Sequence, residues 1–231
     1  MTLVVAMKAQ DGIILAADSR GTVGDPRGLT AITDDQEKIF SLGSCGIAFA
    51  GASEVGAALL DEWKKKKLDG PKDVEEAVTT LVPESADCFA RWYRDIPAEK
   101  RPGVVMTLAG FRDTGKGSEA MIYLMTSNTN FAPSLFGNNP CLSGVPQYAV
   151  YLRNRYYDPS ISLTQARHLA EYLISETASQ DPKVGGPIRM AEITPKTGYN
   201  ELTPEEVAEV QKANQKLNAD MRQFFLKGAA S

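Results

Sequence analysis

The opening seventeen residues constrain the fold more than any other stretch. Leu3 to Lys8 is a β-prone apolar run, Asp11-Gly12 is a hairpin signal, and Ile13-Ile14-Leu15-Ala16-Ala17 follows as a second strand. Neither run alternates cleanly between apolar and polar positions. Such strands are covered on both faces, so the chain needs a sheet enclosed within a layered structure.

The rest of the chain supplies the layers. Gly21 to Asp35, rich in Gly, Thr, Asp and Pro, reads as an irregular loop. Lys38 to Leu42 and Gly46 to Ala50 form a strand pair around Gly43-Ser44. Ser53 to Leu68 carries Val55, Leu59, Leu60 and Trp63 at helical spacing. Its Lys64 to Lys67 run reads as a solvated last turn that complements the helix dipole, not as a nucleic-acid patch. Lys72 to Asp95 is a second helix in which Pro83 predicts a kink or a break. Val104 to Phe111 and Met121 to Thr126 are strands. Gly115 and Gly117 between them lack the spacing and the following helix of a phosphate loop, so they read as a plain turn. Tyr148 to Tyr157 is a short helix, and Ser162-x-x-Gln165 is a capping box opening a helix that ends near Gln180, before Pro182. Arg189 to Ile193 is a strand and Gly198-Tyr199 a turn. Thr203-Pro204-Glu205-Glu206 opens a last helix from about 203 to about Phe225, with Val207, Val210, Leu217, Met221 and Phe224 as its apolar positions. Strands and helices come in groups. That pattern predicts an α+β or a layered α/β/β/α domain with antiparallel sheets. With no repeat and no linker, one domain over residues 1–231 is expected.

Composition removes whole classes of chemistry. A single histidine, His168, excludes a multi-histidine metal site and leaves a Ser/His/Asp triad one possible base. His168 sits beside Leu169 in the capped helix and reads as a surface or boundary residue. The three cysteines, Cys45, Cys88 and Cys141, are widely spaced with no CxxC, so they read as small buried residues in a reducing cytoplasm. No metal and no cofactor is expected. A formal charge of −4 argues against nucleic acid as the main partner. No apolar run nears a membrane span, and the start lacks the features of a signal peptide.

Hydrolysis without histidine needs another base. Loss of Met1 would expose Thr2, whose α-amine has an ordinary pKa of about 7.7–8.0. Hydroxyl nucleophile and basic amine would then share one residue. On position alone, Thr2 is equally a strand residue that follows the start codon.

The surroundings of Thr2 shift that balance. Thr2-Leu3-Val4-Val5-Ala6, then Asp11 to Ala17, then Asp18-Ser19-Arg20-Gly21-Thr22, resembles the opening of proteasome β-type subunits. There a catalytic N-terminal threonine precedes two strands, an A-A-D-x-R segment and a further threonine. Glu37-Lys38-Ile39-Phe40 resembles the segment of the family's lysine, Phe49-Ala50-Gly51 the A-G of its oxyanion hole, and Leu142 to Pro146 its G-S-G-x-P segment. Asp181 to Gly186 resembles a D-x-x-S-G-G segment. The likeness spans nearly the whole chain.

The resemblance implies an α+β fold, the four-layer α/β/β/α sandwich of two antiparallel sheets of N-terminal-nucleophile hydrolases, and a threonine-type endopeptidase that cuts peptide bonds through an acyl-enzyme ester. Thr2 would attack, Lys38 would favour the developing alkoxide, and Asp18 would hold Lys38. Gly51 would offer its N–H to the oxyanion, while Ser143 and Asp181 would orient the amine and a water. From the residues alone, Asp18 and Lys38 are equally a structural ion pair, Ser143 a helix cap before Pro146, and Asp181 a helix-end residue. Thr22 would align an extended substrate. Gly21, Gln36, Phe40, Phe49 and Ser53 would line the first specificity pocket and favour an apolar residue before the cut, although Phe40 and Phe49 also suit a core. The implied substrate is a peptide or unfolded protein. The implied assembly is a homo-oligomeric ring, of the kind that associates with an α-type ring or an AAA+ unfoldase. The chain departs from the family at Val184, where a serine is usual, and only Met1 precedes Thr2, as in HslV-type peptidases. A transpeptidase, ligase or amidase using the same threonine, and a non-catalytic ring subunit, are the rival readings.

Overall fold

The computed structural model describes residues 2–24 and 30–227. One five-stranded sheet has the order β10-β1-β2-β11-β12: Cys141–Gly144, Leu3–Lys8, Ile13–Ala17, Arg189–Thr194 and Gly198–Glu201. The second has the order β5-β6-β7-β8-β9: Ile39–Leu42, Cys45–Gly51, Val104–Asp113, Ser118–Thr126 and Ser134–Phe136. All their pairings are antiparallel. Helices α1 (Ser53–Lys65) and α2 (Val74–Trp92) cover the second sheet. Helices α3 (Gln147–Tyr156), α4 (Leu163–Gln180) and α5 (Pro204–Lys227) cover the first.

The apolar opening is divided residue by residue between two cores. Leu3, Val5 and Met7 of β1, with Ile14 and Ala16 of β2, pack outward against α4. Val4, Ala6, Ile13, Leu15 and Ala17 face inward and meet Ile39, Ala48, Ala50, Ala109 and Ile122 of the other sheet. The strand period of two thus serves two buried faces at once. Much of the layer between the sheets is alanine, which lets them approach closely. The third core, around Trp63, Phe89 and Phe131, lies between the second sheet and its helices.

Several elements differ from the sequence expectation. The Gly21 to Asp35 stretch holds a two-stranded ribbon, β3 (Gly21–Gly24) with β4 (Thr30–Thr33), while 25–29 fall outside the described residues. Backbone pairing between Thr22 and Ile32 and between Val23 and Ala31 outweighs the loop-like composition. Gly198-Tyr199 begins the strand β12 rather than forming only a turn. The short strands β9 and β10 gave no sequence signal. α2 runs unbroken through Pro83. That proline and Thr79, four residues before it, are both exposed, so water can serve the carbonyl that loses its N–H partner. The capping box at Ser162 is present with both of its hydrogen bonds.

Candidate active site

At the head of β1 the strand face changes character. Thr2 is 5% exposed, and its carbonyl accepts from Val145 N at 2.8 Å. Gly144, paired with Leu3 across β10, has φ +92°. A Cβ there would lie 1.8 Å from the Thr2 carbonyl oxygen, so only glycine lets the two chains meet.

Asp18 follows directly on β2 and is buried at 1% exposure. Its Oδ1 accepts from Leu3 N at 3.0 Å and from Lys38 Nζ at 2.9 Å. Its Oδ2 accepts from Arg20 N at 3.1 Å and Gly185 N at 3.0 Å. One carboxylate therefore ties together the peptide after Thr2, the lysine, and the loop after α4. Lys38 also donates to the Arg20 carbonyl at 2.7 Å. Burial pushes the Lys38 ammonium below its ordinary pKa, and Asp18 partly offsets that fall.

Arg20 adds a clamp that sequence reasoning passed over. Its guanidinium grips Asp34 with two bonds, of 2.8 and 2.9 Å, and donates to the Pro182 carbonyl at 3.0 Å. Gly185 and Gly186 admit it, since a Cβ at Gly185 would stand 2.6 Å from the Arg20 Cζ, and one at Gly186 3.0 Å from Asp34 Cβ. The adjacent Val184 is fully buried with Leu3 and Val5, so the position where the family has serine is part of the apolar core here.

A pocket of about 270 Å³ opens beside this cluster. Thr2, Lys38 and Gly51 line it together with Gln36, Phe40, Phe49 and Ser53. Phe40 and Phe49 meet edge to face at 5.9 Å. Gly51 has φ +94°, and a Cβ there would come within 2.3 Å of the Gly103 carbonyl oxygen. Gly21 packs against the Gln36 side chain, a Cβ there falling 2.9 Å from the Gln36 Oε1, and Thr22 belongs to the β3–β4 ribbon. Neither contributes to the pocket lining. Glu37 and Glu54 do, and nothing in their sequence context announced it. Glu37 is held by Arg189 at 2.8 Å.

Ser143 and Asp181 have partners of their own. Ser143 lies in β10, not at the start of α3, where Pro146 occupies the cap position. Its hydroxyl meets Thr107 Oγ1 of the opposite sheet at 3.0 Å, both groups being buried. Asp181 ends α4 and accepts from Lys183 N at 2.9 Å, which sets the turn into the Val184–Gly186 loop.

The side chains read as bland remain so. His168 Nδ1 faces Asn214 Oδ1 of α5 at 3.2 Å. All three cysteines are buried and free, and burial raises Cys45 and Cys88 to about 11 and Cys141 to about 12. Such thiols are poor nucleophiles. Among the described residues, Glu62, Glu84 and Cys88 cluster closely enough to suggest metal ligands. Lys65 and Lys66 already neutralise the two carboxylates, at 2.8 and 2.6 Å. No helix among the described residues is long and apolar enough to cross a membrane.

Two antiparallel sheets between helix layers, with a buried threonine at the head of the first strand, define an N-terminal-nucleophile type of sandwich. The sequence profile of the proteasome subunit family matches residues 2–193, and the chain belongs to that family. The fold is shared with the Anbu complex of Pseudomonas aeruginosa, solved as a helical assembly, at a TM-score of 0.79 and 17% identity over 99% of this chain and 98% of that one. Anbu (ancestral beta-subunit) from Yersinia bercovieri gives a TM-score of 0.75 at 17% identity, with the same coverage of each chain. A Gly-1 mutant of Anbu from Hyphomicrobium sp. strain MC1 gives 0.71 at 16% identity over 98% and 97%. A sequence search of curated proteins gave no match.

Proposed function

We propose that this chain is a threonine-type endopeptidase, acting as a single domain within a homo-oligomeric, self-compartmentalised protease of the cytoplasm. The observation that carries the reading is the buried Lys38–Asp18 pair bound to the backbone next to Thr2, at the wall of a pocket that Thr2 itself lines. A lysine this buried is costly unless its charge has a use or a partner. Here the ammonium stands among the groups lining the space a substrate carbonyl would enter.

The reaction follows from these groups. Removal of Met1 frees the Thr2 amine. Thr2 Oγ attacks the carbonyl carbon of the peptide as the amine takes the hydroxyl proton. Lys38 steadies the alkoxide, and the Gly51 N–H receives the oxyanion. The C–N bond breaks, and the leaving amine takes up that proton. Water then attacks the ester, returning a proton to Thr2 Oγ and releasing the acid. Ser143 and Asp181 act as positioning residues around the amine. Phe40 and Phe49 favour an apolar residue before the cut, with Gln36 and Ser53 completing the pocket and Gly21 backing Gln36. Thr22 aligns the extended substrate. Partner rings or an AAA+ unfoldase would supply unfolded chains.

A non-catalytic ring subunit is the competing reading, favoured by the apolar Val184 in the loop that binds Asp18. A fluorogenic peptide assay separates the two. The endopeptidase reading expects cleavage that Thr2→Ser retains in part and Thr2→Ala lacks; equal turnover by Thr2→Ala, or none by the wild type at any oligomeric state, rejects it. Adding an amine acceptor and analysing products by mass spectrometry distinguishes hydrolysis from ligation.

A further inference from the structure

A second cavity, of about 390 Å³, lies between the end of α2, the turn before β7 and the turn after β8. None of its lining residues belongs to the pocket beside Thr2. Its walls are of two kinds. Phe89, Ala90 and Ala98 offer apolar surface, while Arg101, Asn128 and Asn130 offer N–H donors, and no carboxylate lines it. Arg101 Nε donates to the Ile96 carbonyl at 2.9 Å, which holds the guanidinium in place. Among the described residues, its two terminal nitrogens have neither an ionic nor a hydrogen-bond partner. Arg20, Arg112, Arg167 and Arg189 differ, since each grips a carboxylate of this chain. A guanidinium fixed at one nitrogen and open at the other two is suited to a planar carboxylate.

The polar wall is joined to the backbone that fixes Gly51. Ser127 lines the cavity, and its hydroxyl accepts from Val104 N at 3.1 Å. Val104 is the cross-strand partner of Gly51. Gly103, two residues after Arg101, accepts from Ala52 N at 2.9 Å. Gly51 itself has little slack, because its backbone approaches the Gly103 carbonyl so closely that only glycine fits. A group bound between Arg101 and Ser127 thus presses on both residues that set the direction of the Gly51 N–H.

We propose that this cavity binds the free C-terminal carboxylate of a short peptide with an apolar last side chain, and that its occupancy shifts the aim of the Gly51 N–H. Arg101 takes the carboxylate in two bonds. Asn128 and Asn130 meet the last peptide group, and the last side chain packs on Phe89 and Ala98. Each peptide bond cut leaves one such carboxylate, so the ligand is of the class the proposed reaction releases. The coupling to Gly51 has a catalytic consequence only if the endopeptidase reading holds; the binding does not depend on it. A phosphate dianion fits less well, because the lining offers one guanidinium for two charges.

The test uses the full chain as Thr2→Ala, which cannot turn a peptide over, and ligand-observed nuclear magnetic resonance with acetyl-Ala-Leu as its acid and as its amide. The acid is expected to bind with a Kd of about 0.1–1 mM, and the amide at least about tenfold more weakly. Arg101→Lys keeps the charge but loses the fork, and is expected to weaken the acid about fivefold. Asn128→Asp, at an exposed position away from the Arg101–Ile96 bond, is expected to weaken it at least about tenfold. Hydrogen exchange at Gly51 and Ala52 should slow at least about twofold with the acid bound. Equal binding of acid and amide, or tighter binding of inorganic phosphate, overturns the ligand class. Binding unchanged in both variants places the peptide elsewhere, in the Thr2 pocket for instance, and overturns the site. Unchanged exchange at Gly51 with the acid bound overturns the coupling. A wild type without peptidase activity, whose Thr2→Ala form binds the acid as stated, rejects the endopeptidase and supports the site.

Discussion

The centre of the inter-sheet layer and the end of it beside Thr2 are built from the same strands and differ in almost every property. At the centre, Val4, Ala6, Leu15 and Ala17 of one sheet meet Ala48, Ala50 and Ala109 of the other in a wholly apolar contact. At the end, the register brings Thr2, Asp18 and Ser143 on one sheet against Lys38 and Thr107 on or beside the other, all nearly as buried. The centre gains by excluding water. The end has to partner the polar groups it buries: five hydrogen bonds converge on Asp18 and Lys38, and Ser143 and Thr107 bond to each other. The contrast teaches that the fold's rigid middle holds a charged constellation at its edge, where a pocket makes it reachable. Loops alone would hold it less tightly.

The contrast can be broken most severely by Thr2→Ala. It is expected to remove at least about a thousandfold of peptide turnover while thermal unfolding moves little, because one hydroxyl and one methyl are lost. Next is Lys38→Met. Its ammonium leaves Asp18 buried without its cation, so chemical denaturation is expected to show a loss of about 3–5 kcal/mol, and turnover should vanish with it. At the centre, Ala48→Leu is expected to cost about 1–3 kcal/mol by forcing the sheets apart, with kcat in the folded fraction falling far less than in either edge variant. Strong loss of activity at wild-type stability in Ala48→Leu would erase the distinction between the two regions.

The pH profile sharpens the contrast at smaller amplitude. The free Thr2 amine must be neutral to accept a proton, and burial beside the Lys38 ammonium favours the neutral form, so turnover should rise with pH at a point below the ordinary α-amine range. Lys38 must stay charged, and burial has lowered its pKa, so the alkaline fall should come below the ordinary lysine range. Stability has the opposite sign at that group. A lysine whose folded pKa is depressed binds its proton less tightly when folded, so its penalty lessens as pH rises through the folded value. Turnover and stability are therefore expected to diverge on the alkaline side. Finally, Val184→Ser is expected to lower stability by about 1 kcal/mol, since a hydroxyl replaces methyl groups packed on Leu3 and Val5, and to raise turnover modestly if the hydroxyl reaches the Thr2 amine.

Much of the fold was legible because local signals agreed with burial. The opening hairpin, the Ser162 capping box and the Thr203 helix start each state their structure within a few residues. The β3–β4 ribbon was not legible, because glycine, proline and aspartate there resemble a loop until backbone pairing is seen. β9 and β10 are too short to carry a period, and the break that Pro83 left open does not occur, because its exposure cannot be read from the chain. At the site, Asp18 was reached through its spacing from Thr2, and Lys38 and Gly51 through short segments that resemble the family's. The Ser143–Thr107 bond joins residues 36 positions apart on different sheets, and the Arg20–Asp34 clamp depends on two glycines of a distant loop. No local pattern encodes either pairing. Glu54 entered the pocket lining only through the direction in which α1 leaves Gly51.

The most direct test of the central claim is to quench the protein during reaction with an activated peptide ester and locate the acyl group by tandem mass spectrometry. The account predicts one acyl group on the Thr2 hydroxyl, in chains whose first residue is Thr2. An acyl group on any other side chain, or on chains that keep Met1, would contradict it.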